Sequence, residues 1–188
     1  MTGSNPPTQD KHTPERIRLL SRLLATCCLI LITALPIVVV AYWAVSDTSM
    51  LAAHANLTPT VIQGKLSIWQ RIVAGVLSEI PLVLFMIGLW QARRCFKQFS
   101  DGKFFSATAV RSLSRFAGWT AASVIASVAT TTLVSVVITL QNPVESRTLT
   151  VSFGSDQLLL LFFAGMVWLM ASVIHQGQKL AEENASFI

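Results

Sequence analysis

Four long apolar runs separated by polar segments dominate the chain. Charged residues are absent from the windows 23–46, 116–144 and 157–178, and a fourth run, 72–90, is interrupted only by Glu79. About 20 helical residues cross a bilayer core of about 30 Å, so each run is long enough to span. The runs do not alternate in polarity, and lipid tolerates only helices or closed barrels. The pattern therefore predicts an all-α integral membrane bundle of four transmembrane helices. The predicted spans are about 23–45, 70–90, 116–140 and 157–175.

The distribution of positive charge predicts the orientation of these spans. Eleven of the 14 Lys and Arg residues fall in the N-terminal segment, the second loop and the C-terminal tail. Cytoplasmic segments carry such an excess, so both termini are expected in the cytoplasm. Residues 1–12 are polar and contain proline, which is typical of disorder. We expect a disordered cytoplasmic tail over 1–12 and a single four-helix membrane domain over 13–188.

The composition agrees with a membrane protein and argues against other classes. Apolar residues make up 53% of the chain and charged residues only 12%, about half the charge of a soluble domain. The net charge of +5 alone could suggest nucleic acid, but the basic residues cluster at the ends of apolar runs. No direct nucleic-acid binding is expected. The three cysteines form no C-x-x-C pair and no catalytic motif is present, so we expect no metal, no cofactor and no enzymatic activity.

The second loop carries most of the positive charge. Ser106 is a good N-cap for a helix with an apolar face, while Arg111 and Arg115 lie four residues apart on another face. This pattern predicts an amphipathic cytoplasmic helix along the inner membrane surface, with the lipid bilayer and its anionic head groups as natural counter-ions. The basic residues either only set the topology or also contact lipid head groups or a protein partner. They are Arg93, Arg94, Lys97, Lys103, Arg111 and Arg115.

Glu79 is the acidic residue inside a predicted span. It lies ten residues from Trp69, about 15 Å along a helix and thus near the bilayer centre. An ionisable group at that depth is expensive unless it is neutral or paired. Ser78 offers a hydroxyl nearby, and Pro81 frees a backbone carbonyl one turn away. Two roles stay open: a carboxyl hydrogen-bonded to a hydroxyl of the third span, or a proton- or cation-linked site.

The third span is dense in small residues. Such residues let helices approach closely, and hydroxyl groups can bond across the contact. We expect this span to be the packing centre, either within one chain or in a homo-oligomer, with a polar pathway lining as a third reading. The expected packing residues are Gly118, Ala122, Ala126, Ser123 and Ser127.

Three short blocks resemble a known bacterial family. They read QARRCF at 91–96, GKFFS at 102–106 and GQKLAEEN at 177–184. Together they resemble the domain-of-unknown-function 2975 family, whose members are small four-span membrane proteins. The resemblance implies a location in the bacterial inner membrane, and genes of the family often neighbour a small helix-turn-helix regulator. It assigns no catalytic residues.

The sequence thus favours a non-enzymatic inner-membrane protein, a regulatory or partner-binding module. Its expected partner is a membrane or cytoplasmic regulatory protein. The alternative is a small transporter or proton-coupled pore that uses Glu79.

Overall fold

Four long helices make up the described part of the chain. The computed structural model describes residues 12–47, 50, 67–101, 106–139 and 153–185, and no strand occurs among them. Each helix is long and apolar enough to cross a membrane, which confirms the predicted all-α class with four such helices. The helices are α1 (His12–Val45), α2 (Ile68–Ser100), α3 (Ala107–Thr139) and α4 (Ser155–Ala185). The predicted tail over 1–12 lies outside the described residues, except for His12.

The helices are longer than the predicted spans. The 33 residues of α2 extend over about 50 Å, well beyond a bilayer core of about 30 Å. The excess lies mainly at one end, where α1 begins, α2 ends, α3 begins and α4 ends. We call this end the basic end, because most Lys and Arg residues of the helices lie there. The other end is called the opposite end.

Consecutive helices pack against each other in chain order. The largest contact joins α2 to α3, and α1 packs on α2 while α4 packs on α3. Toward the opposite end, Trp43 of α1 packs with Ala74 of α2 and with Val134 and Ile138 of α3. A second apolar cluster, nearer the basic end, contains Cys28 of α1 and Leu89 and Ala92 of α2. The central position of α2 and α3 decides which residues can meet at each end.

A glycine sets the closeness of the α2–α3 contact. A Cβ atom added at Gly88 would lie 3.3 Å from Trp119 Cβ and 3.6 Å from the backbone oxygen of Phe116. A side chain at this position would therefore require the neighbouring atoms of α3 to shift by a few tenths of an ångström. Small residues allow this kind of close approach between apolar helices.

Gln70 joins the start of α2 to the end of α3. Its side chain is only 1% exposed. Oε1 accepts a 3.0 Å hydrogen bond from the Ser67 backbone N–H, and Nε2 donates to the carbonyl oxygens of Val137 at 2.9 Å and Ile138 at 3.4 Å. Both helix ends leave backbone groups without helical partners. One buried amide group therefore forms hydrogen bonds with backbone groups at the start of α2 and at the end of α3.

The amphipathic segment of the second loop is the beginning of α3. Ser106 precedes the helix, and its Oγ accepts a 3.2 Å hydrogen bond from the Ala109 N–H, as expected of an N-cap. No Gly or Pro separates Ser106 from Phe116, and α3 continues through this segment without a break. The segment forms the first turns of α3 and is not a separate helix. Its position along a membrane surface stays a prediction.

Candidate functional site

A basic groove lies between the last turns of α2 and the first turns of α3. It encloses about 430 Å³ and is open on one side. Four of the predicted basic residues meet there, although they come from two helices. The groove is lined by Gln91, Arg94, Lys97, Gln98, Asp101, Thr108, Arg111, Ser112 and Arg115.

Gln98 connects the two walls of the basic groove. Its Oε1 accepts hydrogen bonds from the Ser106 hydroxyl at 2.6 Å and from the Thr108 hydroxyl at 3.1 Å. Asp101 ends α2, and its N–H donates to the carbonyl oxygens of Lys97 and Gln98. Because only a few residues connect the helices, the end of α2 must face the start of α3. This connection gathers cations that are far apart in the sequence.

The charges of the basic groove are not neutralised within the described chain. Arg94, Lys97, Arg111 and Arg115 are all exposed. Among the lining side chains that the structure describes, Asp101 is the single acidic residue. Within the described ranges, the one ion pair joins two residues of α4, so it involves none of these four cations. The groove therefore offers an anionic ligand four cationic groups that form no ion pair with the described residues.

Of the other predicted basic residues, Arg93 contacts an aromatic ring. Arg93 lies over the Trp90 ring, with its guanidinium carbon 5.4 Å from the ring centroid, and does not line the groove. This geometry is that of a cation–π contact. Lys103 lies outside the described residues.

A larger groove lies between α1 and α2 toward the opposite end. It encloses about 770 Å³ and contains Glu79 together with Asp47 and Arg71. We call it the carboxylate groove. The other lining residues are apolar or small: Val40, Trp43, Ala44, Ile68, Ile72, Gly75 and Val76.

Glu79 faces this groove and not a hydroxyl of α3. Its Oε1 is buried and has no hydrogen-bond partner among the described residues. The Ser78 hydroxyl donates to the Ala74 carbonyl at 2.9 Å, so it is directed to its own helix. Pro81 lies inside α2, which continues through it. The expected hydrogen bond from α3 to Glu79 is therefore not observed, and α1 supplies the facing wall of its groove.

The small residues of α3 do not all lie at a helix contact. Ser123 is buried, and Ala122, Ala126 and Ser127 are half-buried. Gly118 is exposed, and a Cβ atom added there would meet nothing within 4 Å. It shares an exposed face with Arg111 and Arg115, because these positions recur at three- and four-residue intervals.

The hydroxyl groups of this stretch bond within their own helix. Ser123 Oγ donates to the Thr120 carbonyl and Ser127 Oγ to the Val124 carbonyl, each at 2.8 Å. The expected bonds across the helix contact are absent for these two residues. Both residues contribute to the contact through their small size, because their hydroxyl groups already form hydrogen bonds within α3.

Sequence reasoning missed several residues that shape these sites. The pattern Ser67-x-x-Gln70 is a capping-box signal and could have indicated Gln70. Gly88 is a lone glycine in an apolar run, and nothing local distinguishes it from Gly118. Trp43 was not predicted as a site residue, whereas its ring is buried and forms a wall of the carboxylate groove.

The described residues contain no cluster of three or more His, Cys, Asp or Glu side chains that could hold a metal ion. The three cysteines are free thiols, and Cys95 is almost fully buried in α2.

Comparison with known proteins identifies the family. No curated protein and no solved structure matches the chain. A family model described as a protein of unknown function, DUF2975, matches residues 68–188, which is more than half of the chain. The match includes α2, α3 and α4 and therefore the whole basic groove, whereas the α1 wall of the carboxylate groove precedes it. The chain belongs to the DUF2975 family.

Proposed function

We propose that this chain is a non-enzymatic, multi-pass protein of the bacterial inner membrane that binds a regulatory protein partner at its basic groove. Both termini would lie in the cytoplasm. The observation that carries the proposal is the meeting of four cations from α2 and α3 in one open groove, none of them in an ion pair with a described residue.

The outer faces of the helices support the membrane location. Large apolar side chains such as Ile37, Phe162 and Trp168 are more than half exposed. In water, apolar patches of this extent are rare on monomeric proteins. A bilayer would cover them, and the positive charge at the basic end favours a cytoplasmic position for that end.

The distance of the cations from the membrane interface favours a protein ligand over lipid head groups alone. If Trp90 marks the interface, Arg94 lies about 6 Å and Lys97 about 10 Å beyond it along α2. Arg111 lies about 12 Å beyond Trp119 along α3. The head-group layer is only about 5–8 Å deep on each side. Head groups therefore reach the inner part of the groove, while its outer part can receive an acidic protein segment.

Affinity purification of charge-reversal variants tests this function. The tagged protein is purified from its own membranes in mild detergent, and its companions are identified by mass spectrometry. The double variant Arg111→Glu/Arg115→Glu removes two groove cations. The matched control is Arg16→Glu/Arg18→Glu, which reverses two exposed cations of α1 at the same end, outside the groove. Both double variants change the charge of the basic end equally. A loss of the companion that occurs only with the groove variant therefore reflects binding at the groove and not a change of membrane topology.

We expect a stoichiometric protein companion with the wild type and with the control. The groove variant should retain about tenfold less of it, because charge pairs at an interface are lost. Recovery of phospholipid alone, or equal companion recovery from the groove variant, would contradict the proposal.

A second candidate function rests on Glu79. A small transporter or proton-coupled pore would use an intramembrane carboxyl group, and Glu79 Oε1 is buried without a hydrogen-bond partner among the described residues. Flux into liposomes, followed with a pH-sensitive dye, would test it. Flux that requires Glu79 and is lost in Glu79→Gln would support transport, whereas wild-type protein without flux would contradict it.

A further inference from the structure

The carboxylate groove combines an apolar body with one deep acidic group. Val40, Ala44, Ile72 and Val76 supply apolar walls, and the volume of about 770 Å³ lies in the range of small-molecule pockets, roughly 300–1,000 Å³. Glu79 places a carboxyl group among these walls. Such a pocket selects a ligand by apolar contact and by a single charge.

The charge balance of the groove favours a monovalent cation. Asp47 and Arg71 lie where α1 ends and α2 begins, and they carry opposite charges. Arg71 is eight residues from Glu79, about 12 Å along α2. No ion pair joins these residues within the described part of the chain. Among the described lining residues the charges at the mouth therefore cancel, and Glu79 adds one negative charge deeper in the groove.

Trp43 adds a second group suited to a cation. Its ring is buried beside Gly75, where an added Cβ atom would lie 3.4 Å from Trp43 Cγ. Trp43 and Glu79 therefore line the same groove from opposite helices. Indole rings attract cations, so the small part of the Trp43 ring that lines the groove is compatible with a cationic ligand.

We propose that the carboxylate groove binds an apolar organic monocation of the ammonium or phosphonium type. Its cationic centre lies at the Glu79 carboxylate, and its apolar substituents lie against Trp43 and the aliphatic walls. A lipid acyl chain would fill the apolar part but would give the Glu79 carboxylate no counter-charge. A bare metal ion needs several oxygen ligands, which the described residues at this depth of the groove do not supply.

This binding site is independent of the partner-binding function, because it lies toward the opposite end of the helices. It adds a ligand class to the transport function that we gave as the second candidate. Cation binding is measured without any flux, so the binding proposal and the transport candidate can fail separately. Partner recovery by Glu79→Gln should remain at the wild-type level in either case.

Equilibrium dialysis of the full-length protein in detergent tests the proposal. The probe is tetraphenylphosphonium, a rigid apolar cation without hydrogen-bond donors, with binding to empty micelles subtracted. Tetraphenylborate has the same shape and the opposite charge and serves as the ligand control. Glu79→Gln removes the charge with little change of shape, and Asp156→Asn removes an exposed carboxylate at the start of α4. Ala44→Trp fills the groove and leaves Glu79 in place.

We expect one tetraphenylphosphonium per wild-type chain. Glu79→Gln should weaken its binding about tenfold or more, because contacts with a charged group are strong. Ala44→Trp should weaken it as well, and Asp156→Asn should leave it unchanged. Size-exclusion profiles and helicity equal to those of the wild type show that the variants are folded. Wild-type affinity in Glu79→Gln, equal binding of tetraphenylborate, or no binding above empty micelles would overturn the proposal.

Discussion

Replacement of Gln70 by leucine should weaken the contact between α2 and α3. Gln70 is 1% exposed, and its amide group forms hydrogen bonds to backbone atoms at both helix ends. Leucine has a similar volume but cannot form any of these bonds. The change therefore removes the polar contacts with little change in packed volume.

The magnitude follows from the three hydrogen bonds. Two of them, at 2.9 and 3.0 Å, have good lengths, and the third, at 3.4 Å, is weak. A protein hydrogen bond contributes about 1 kcal/mol, and an unpaired buried group costs about 1–3 kcal/mol. We expect Gln70→Leu to lower the free energy of unfolding by about 2–3 kcal/mol. For a chain of this length, that corresponds to a Tm lower by about 4–12 °C.

The assay is thermal unfolding in detergent, followed by intrinsic fluorescence and by loss of the monodisperse peak. Gln176→Leu is the matched control, because it makes the same substitution at an exposed position of α4. Gln70→Glu gives a second test: the acceptor for the Ser67 N–H remains, but the donor to the Val137 carbonyl is lost. Both Gln70 variants should unfold at lower temperature than the control. A Gln70→Leu protein no less stable than Gln176→Leu would refute the role of this amide.

Three further results are expected. Gly88→Val should cost about 1–3 kcal/mol through overpacking against α3, whereas Gly118→Val should be close to neutral in the same thermal assay, because space is open there. Equal losses for the two glycine variants would contradict the observed packing. In a chain whose only thiol is Cys95, a maleimide should react only after denaturation in SDS, because this side chain is 1% exposed. In a cysteine-free chain, Lys97→Cys should react with an impermeant maleimide only after the cells are opened, and reaction in intact cells would reverse the orientation.

The four helices could be predicted from the sequence because long charge-free runs have few alternatives in lipid. The same reasoning underestimated their length, since α2 and α4 continue through polar residues such as Gln98 and Lys179 beyond their apolar segments. Apolarity locates a span, but a helix ends only where its backbone is capped or broken. Asp101 after α2 and Ser106 before α3 show this.

The grouping of residues into sites was less predictable. Arg94 and Arg115 were predicted as members of one set of basic residues in the second loop, but their meeting in one groove depends on how α2 packs against α3. The regular spacing of small residues on α3 suggested a packing face that includes Gly118, and this residue is exposed. A periodic pattern shows which residues share a face. It does not show which face meets a neighbour, and for that reason Gly88 was missed.

The most direct test of the proposed function is site-specific photo-crosslinking in living cells. A photoreactive amino acid is placed at Thr108, an exposed residue that lines the basic groove, and in a separate chain at Arg18, an exposed residue of α1 outside it. The account predicts one protein crosslinked through position 108, none through position 18, and loss of the crosslink when Arg111→Glu is added. Crosslinks to lipid alone at position 108, or the same protein captured from both positions, would contradict it.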